Sequence, residues 1–407
     1  MTRDQASWSG GIRAGGIFRI FRQHPGGLTK AEVAQLSGLS RTAVIQRIEP
    51  LLSAGLLVPH LNESRARGRP ADRFIASAGK RVFLVTDMGA SGLRAAACDA
   101  FCRILAQRSE RSDITDGPNA VLARVDRIFD ELLLEIDRSP EDVGGIGVDV
   151  PGPVDHESGR VITPPIMAGW HDFDIPGHFG NRYRCPVIVE KDVNAMAFGE
   201  HQLVHSAIDN LVFVKVGTGI GTGTIIGGEI YRGSDGAAGD VGHIQIEDRE
   251  FDPRPTCRCG RIGCVEAHAG GWALLRDLRE MQVDVNSVSD LVRITREGHV
   301  EANRLYRRAA RIIGTAISDL INVLNPRAIV IGGQLAGIDD LLFATVREVV
   351  YGRSLPLATR NLQILPSRLG DAVGVHGLAR LVLDEVYSAR RVEDLLNGSV
   401  DEAIDAA

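Results

Sequence analysis

From residue 82 to about residue 380 the chain alternates apolar runs, glycine-rich turns and helical stretches, and that punctuation restricts this part to an α/β fold. FLVTDMGASGLRAAACDA (83–100) predicts a strand, a turn after Asp87 and a second strand. GGIGVDVPGPVDHESGRVITPP (144–165) predicts a strand and then a Pro- and Gly-rich loop. VIVEKDVNAMAFGEH (187–201) runs from a strand into a helix, with charged and amide groups at the junction. LVFVKVGTGIGTGTIIGGEIYRG (211–233) is a hairpin whose turn is almost all Gly and Thr, and AIVIGGQLA (328–336) repeats strand, glycine, helix. Residues 299–325 carry apolar side chains at helical spacing and are expected as core between two lobes. Residues 381–407 read as a helix fading into an acidic tail.

The first eighty residues differ in pattern and in charge. They hold twelve Lys or Arg against five Asp or Glu, whereas the remainder holds 34 against 47. A basic module on an acidic body suggests that the first part meets a polyanion. LTKAEVAQLSGLSRTAVIQRIEPLLSAGLL (28–57) supplies a motif for that charge. Thr29 and Glu32 form a capping-box start, Gly38 can take the left-handed turn, and Ser40 caps a second helix carrying Val44, Ile48, Leu51 and Leu52. An earlier helix, about 12–23, would complete the core through Ile17, Ile20 and Phe21. Helix, glycine turn, helix of this size is the helix-turn-helix pattern. Its second helix is expected to expose Arg41, Thr42, Gln46 and Arg47, side chains able to bond base edges and phosphates. LLVPHLNESRARGRPADRFIAS then reads as two short strands around a basic tip, a wing, with Arg65, Arg67 and Arg69 placed for phosphate or narrow minor-groove contact. The plainer alternative is a helical hairpin for protein contact, but helix spacing, charge and wing agree on double-stranded DNA.

Three of the chain's six cysteines crowd into PTCRCGRIGCVE (255–266). A disulfide uses two, so Cys257, Cys259 and Cys264 suit a metal with a fourth ligand nearby, against the alternative of ordinary buried or redox-active thiols. Cys98, Cys102 and Cys185 are scattered, as expected of reduced thiols. No run of eighteen apolar residues is present, so no membrane-spanning helix is expected. The opening MTRDQASWSGG lacks a basic-then-apolar leader, which points to the cytoplasm.

These pieces resemble, in order and over essentially all of 82–380, the ROK family of repressors, open reading frames and sugar kinases. The resemblance implies an α/β fold in which an N-terminal winged helix-turn-helix precedes a two-lobed, actin-like and ribonuclease-H-like ROK domain. The division implied is 1–80 for the winged helix, 81–195 completed by 376–400 for the smaller lobe, and 196–375 for the larger lobe with its metal loop. It also implies a structural Zn²⁺ held by Cys257, Cys259, Cys264 and His243 of GAAGDVGHI (236–244). The sugar site implied comprises Gly152, Asp192, Asp240, His243 and Glu266, with Asp192 as general base if phosphoryl transfer survives. Asp87, Gly89, Ser91, Gly217, Thr218, Gly219, Gly332 and Gly333 stand where family kinases cradle nucleotide phosphates.

The departures weaken catalysis. Residues 87–92 read DMGASG, placing Ala90, Ser91 and Gly92 where kinases carry Gly, Thr and Lys. Lys191 replaces the asparagine before the base, where it is expected to pair with Asp192 and lower its basicity, or to add a contact to a phosphorylated or acidic sugar. Asp240 is one methylene shorter than the usual glutamate. ATP and Mg²⁺ are therefore not expected as cofactors. The expected function is a sugar-responsive regulator, acting as a homodimer or homotetramer on a roughly palindromic operator, with sugar or sugar phosphate as effector. The alternatives are a sugar kinase with an attached DNA-binding domain, and a regulator whose body binds a protein partner.

Overall fold

The computed structural model describes residues 12–60, 72–77, 79–246, 254–338 and 340–398. The N-terminal module comprises α1 (Ala14–Arg22), β1 (Leu28–Thr29), α2 (Lys30–Ser37), α3 (Arg41–Ser53), β2 (Leu57–His60) and β3 (Arg73–Ala76). Its sheet has the order β1-β3-β2, with both pairings antiparallel. The Thr29–Glu32 capping box closes as its sequence predicts: the Thr29 amide donates to Glu32 Oε2 at 2.7 Å, and the Glu32 amide donates to Thr29 Oγ1 at 3.2 Å. Gly38 follows at φ 70°, the left-handed turn that lets α3 cross α2. Ile17, Phe21, Val44, Ile48 and Leu51 are fully buried and make one apolar core. β2 and β3 pair as the expected wing requires, and Arg65, Arg67 and Arg69 lie outside the described residues.

Two five-stranded sheets follow. The first is built from β4 (Val82–Met88), β5 (Leu93–Cys98), β6 (Ile104–Glu110), β7 (Val143–Val150) and, after the small β8 (Val154–Asp155) and β9 (Arg160–Val161) pair, β10 (Val187–Lys191). Helices α4 (Pro118–Glu135) and α5 (Ile175–Tyr183) cover one face. Helix α6 (Asp192–Leu203) then leads to the second sheet. That sheet holds β11 (Leu211–Val216), β12 (Ile220–Ile226), β13 (Glu229–Ile230), β14 (Ala328–Gly332) and β15 (Gln363–Pro366). Between β13 and β14 lie α7 (Val265–Ala269), α8 (Gly271–Glu280), α9 (Val288–Arg296) and α10 (Val300–Leu324). α11 (Leu341–Arg353) and α12 (Pro356–Thr359) precede β15, and α13 (Val373–Val386) and α14 (Ala389–Leu396) follow it. Taken in chain order, the strands of both sheets are arranged 3-2-1-4-5, with the first three antiparallel and the last two parallel to the first. The body is thus one topology used twice.

Strand alternation decides which helices face which lobe. In β11, Val212, Val214 and Val216 face a cluster containing α8, α9, α10 and α11, while Leu211 and Phe213 face α6. Helix α10 therefore lies on the outer face of the second sheet, not between the lobes as its apolar pattern suggested. The helices between the sheets are α6 and α13. They approach through Gly199 and Gly377: a Cβ on Gly377 would lie 1.8 Å from the Ala195 carbonyl oxygen, and one on Gly199 would lie 2.6 Å from that of Val373.

The stretch after residue 381 is also not one fading helix. α13 ends at Val386, and α14 docks on α1, where the Gly15 amide donates to Glu393 Oε1 at 2.8 Å. Tyr387 between them is buried edge-on against Phe18 of the N-terminal module (5.4 Å) and Phe83 of β4 (5.9 Å). Arg22 lies 5.3 Å above the same ring and pairs with Asp384 at 3.3 Å. The core of the N-terminal module is consequently continuous with that of the first lobe.

Candidate functional site

A cleft of about 860 Å³ opens between the two sheets. Gly152, Lys191, Asp192, Asp240, His243 and Glu266 all border it. So do Asp87, Gly89, Ser91, Gly217, Thr218, Gly219 and Gly333. Gly332 stands apart, facing Phe213 and Ser367, where a side chain would not fit. The turn after β4 is closed on itself, its Gly89 amide donating to the Gly92 carbonyl at 2.8 Å. That N–H is spent within the turn and is not free to meet a phosphate.

The junction of β10 and α6 carries Glu190, Lys191 and Asp192, all buried. Each of the three faces a charge supplied by the second-sheet side. Glu190 Oε2 accepts from Arg232 at 2.6 and 2.8 Å, Lys191 Nζ pairs with Asp240, and Asp192 Oδ2 accepts from Lys215 Nζ at 2.5 Å. This corrects the expectation that Lys191 pairs with Asp192. Successive side chains at a strand end leave on opposite sides, so Lys191 reaches the loop before His243 while Asp192, opening α6, meets β11. Asp192 Oδ1 also accepts from the Val193 amide at 2.7 Å. Burial alone would depress the Lys215 ammonium, but Asp192 and Asp87 outweigh it and hold its pKa above the ordinary lysine value. Burial pushes Asp87 up, and it pushes Asp149 well up because Asp87 lies beside it. Lys215 and Arg232 were missed in the sequence. A lysine inside the apolar run LVFVKV was a visible signal; Arg232 gave none.

Glu266 sits in the first turn of α7 and is buried. Its Oε2 accepts from the Ile220 amide and its Oε1 from Trp272 Nε1, both at 3.0 Å. Trp272 is flanked by Arg258 at 4.8 Å and Arg276 at 5.3 Å. Arg258 of the cysteine-rich loop thus packs on the indole that orients Glu266.

Immediately before α7, the donor atoms of His243, Cys257, Cys259 and Cys264 lie within 4.8 Å of one another, so the cluster can hold a metal ion. The spacing can be tested against tetrahedral zinc. Zn–S bonds of about 2.3 Å put neighbouring sulfurs about 3.8 Å apart. Cys259 Sγ and Cys264 Sγ are 3.7 Å apart, and Cys257 Sγ is 3.7 Å from His243 Nδ1. Burial pushes the Cys257 thiol up to about 12, so a bound cation is what would keep it ionised. Gly260 and Gly263, at φ 85° and 77°, make the turns that bring the sulfurs round.

On the N-terminal module, Ser40, Arg41, Thr42 and Gln46 are exposed along the start of α3. Ser40 Oγ accepts from the Ala43 amide at 3.2 Å as the helix cap. Arg47 is only half-exposed and is not free as expected. Its guanidinium donates to the carbonyls of Ile12 and Ala43, because its long side chain folds back over the N-terminus of α1.

A winged-helix module fused to a duplicated α/β body with a Cys₃His loop beside its cleft defines a class, and residues 84–385 match the ROK family, to which the chain belongs. Among curated relatives, a putative xylose repressor of Caldicellulosiruptor sp. (strain Rt8B.4) is 27% identical over 378 residues, spanning 89% of this chain and 93% of that protein. A glucokinase of Thermotoga maritima is 27% identical over 299 residues, spanning 70% of this chain and 92% of that enzyme. A solved ROK-family transcriptional regulator, a homologue of the E. coli MLC protein, shares the fold over 95% of this chain and 99% of its own, with TM-score 0.80 and 24% identity. The Streptomyces griseus ROK glucokinase, solved with glucose and AMPPNP, covers 74% of this chain and 99% of its own at TM-score 0.64 and 25% identity.

Proposed function

We propose that this chain is a DNA-binding transcription regulator, a repressor, whose ROK body binds a sugar or sugar derivative and thereby alters operator affinity. The observation that carries the sensor reading is the Lys215–Asp192 pair. A general base must accept a proton from a hydroxyl, and Asp192 instead has one oxygen on an ammonium and the other on a backbone amide. The repressor relatives support the same reading, since the alignment with them spans 89% of this chain, against 70% for the T. maritima glucokinase. The functional units follow from it: 1–80 reads DNA, and the two lobes, 81–195 with 376–400 and 196–375, enclose the effector. Zn²⁺ at Cys257, Cys259, Cys264 and His243 would be structural, because four protein ligands leave no open position. It would fix His243 and the loop that orients Glu266. Ser40, Arg41, Thr42 and Gln46, with the wing arginines, would contact a palindromic operator from a homodimer or homotetramer in the cytoplasm, at the bacterial nucleoid.

The kinase alternative retains one specific observation: Asp192 and the Gly217–Gly219 loop still border a single cleft. An ATP-consumption assay with a panel of sugars separates the two. The sensor reading expects no sugar-dependent turnover, whereas rates of about 1–100 s⁻¹, typical of kinases, would overturn it.

A further inference from the structure

Three residues in a row, Glu190, Lys191 and Asp192, make three ion pairs across the lobe junction, with Arg232, Asp240 and Lys215 respectively. The last two pairs border the cleft, and the middle one differs from the third in the exposure of its carboxylate. Lys191 is buried, while the Asp240 side chain is 39% exposed and so can be reached by a ligand. The three carboxylates of the proposed sugar half are already matched. Asp192 has Lys215, Asp240 has Lys191, and Glu266 has an indole N–H and a backbone amide.

We propose that this arrangement selects a neutral, hydroxyl-bearing effector over its phosphorylated or carboxylated counterpart, and that the Lys191–Asp240 pair is the determinant. The inference rests on the sugar-sensor reading above and names the chemistry of its ligand. A hydroxyl both donates and accepts, so it can enter between Lys191 and Asp240, accepting from the ammonium and donating to the carboxylate. Both charges then stay compensated. A phosphate or carboxylate only accepts at neutral pH. It can reach the Lys191 ammonium only by displacing Asp240, which leaves that carboxylate uncompensated and brings like charges together. The surroundings oppose an anion further: Arg94, Lys191, Lys215 and Arg261 border the cleft against Asp87, Glu110, Asp192, Asp240, Glu266 and Asp371. Arg94 is itself 3.8 Å from Asp371, and Arg261 is exposed. The lysine at position 191, which in the sequence alone suggested an added contact to an acidic sugar, is thus a cation already committed to its own carboxylate.

Titration calorimetry on the zinc-loaded full chain tests this with matched pairs: glucose with glucose 6-phosphate and glucuronate, N-acetylglucosamine with its 6-phosphate, and xylose with xylonate. For any pair that binds, the neutral member is expected to bind at least tenfold tighter. Asp240→Asn, which leaves Lys191 unpaired, is expected to move that ratio at least tenfold toward the anionic member. Equal or tighter binding of the anionic member by the wild-type chain overturns the inference and leaves the sensor reading standing. An unchanged ratio in Asp240→Asn, with the variant folded, overturns the role of the Lys191–Asp240 pair. Absence of binding by every pair overturns the sensor reading and this inference together.

Discussion

Removing the Lys215 ammonium would leave Asp192 buried with only the Val193 amide as partner. Stranding one member of a buried pair costs far more than the pair contributes. Lys215→Met is therefore expected to lower unfolding stability by about 3 kcal/mol, and adding Asp192→Asn to recover most of it, as read from urea midpoints of the two variants. Cys259→Ser tests the metal loop in the same way. One bound zinc per chain should be lost by metal analysis, and sugar affinity should fall with it, because Glu266 is oriented through Trp272 packed on Arg258 of that loop. Residue types were legible from the sequence and their partners were not. Thiol spacing pointed to one centre, which needs only local geometry, while His243 as its fourth member came from the family resemblance. That Asp192 answers to Lys215, and Lys191 to Asp240, depends on how two distant strands meet, which no local pattern records.

Among elements, the helix-turn-helix was the most legible, since its cap, turn and apolar spacing are all local signals. The structure divides its arginines by task. Arg41 is exposed at the start of α3, so Arg41→Ala is expected to weaken operator binding and to reduce the slope of log affinity against log salt by about one, measured by anisotropy across a salt series. Arg47 ties α3 to the Ile12 carbonyl at the N-terminal side of α1, so Arg47→Ala should lower thermal stability with the salt slope unchanged. Helix α10 was misplaced by its pattern for a physical reason. An amphipathic helix shows that one face is buried without saying which layer buries it. The answer came from the two faces of β11 and β14, each apolar on both sides.

At the scale of the molecule, α6 and α13 cross between the lobes, and α13 continues through Tyr387 into α14, which grips α1. A change in lobe arrangement would thereby have a packed route to the N-terminal module, and the response it could produce is limited by the effector's own preference for one arrangement. Acid should weaken the assembly. His268 is pushed down to about 4 by burial, with Arg308 and Arg276 adding to it, so the folded state holds its neutral form. Its contribution is intact above the ordinary value of 6.5 and is lost as pH falls toward 4. Burial likewise lowers His201, His205 and His376. The urea midpoint is expected to fall between pH 7 and 5, and to fall less in His268→Gln. The most direct test of the regulator reading is operator affinity, measured by anisotropy on DNA from the chain's own promoter region while a bound sugar is titrated. A shift of at least fivefold at saturation, about 1 kcal/mol of coupling, is the predicted result. Affinity that stays constant while calorimetry shows the cleft filled would contradict it.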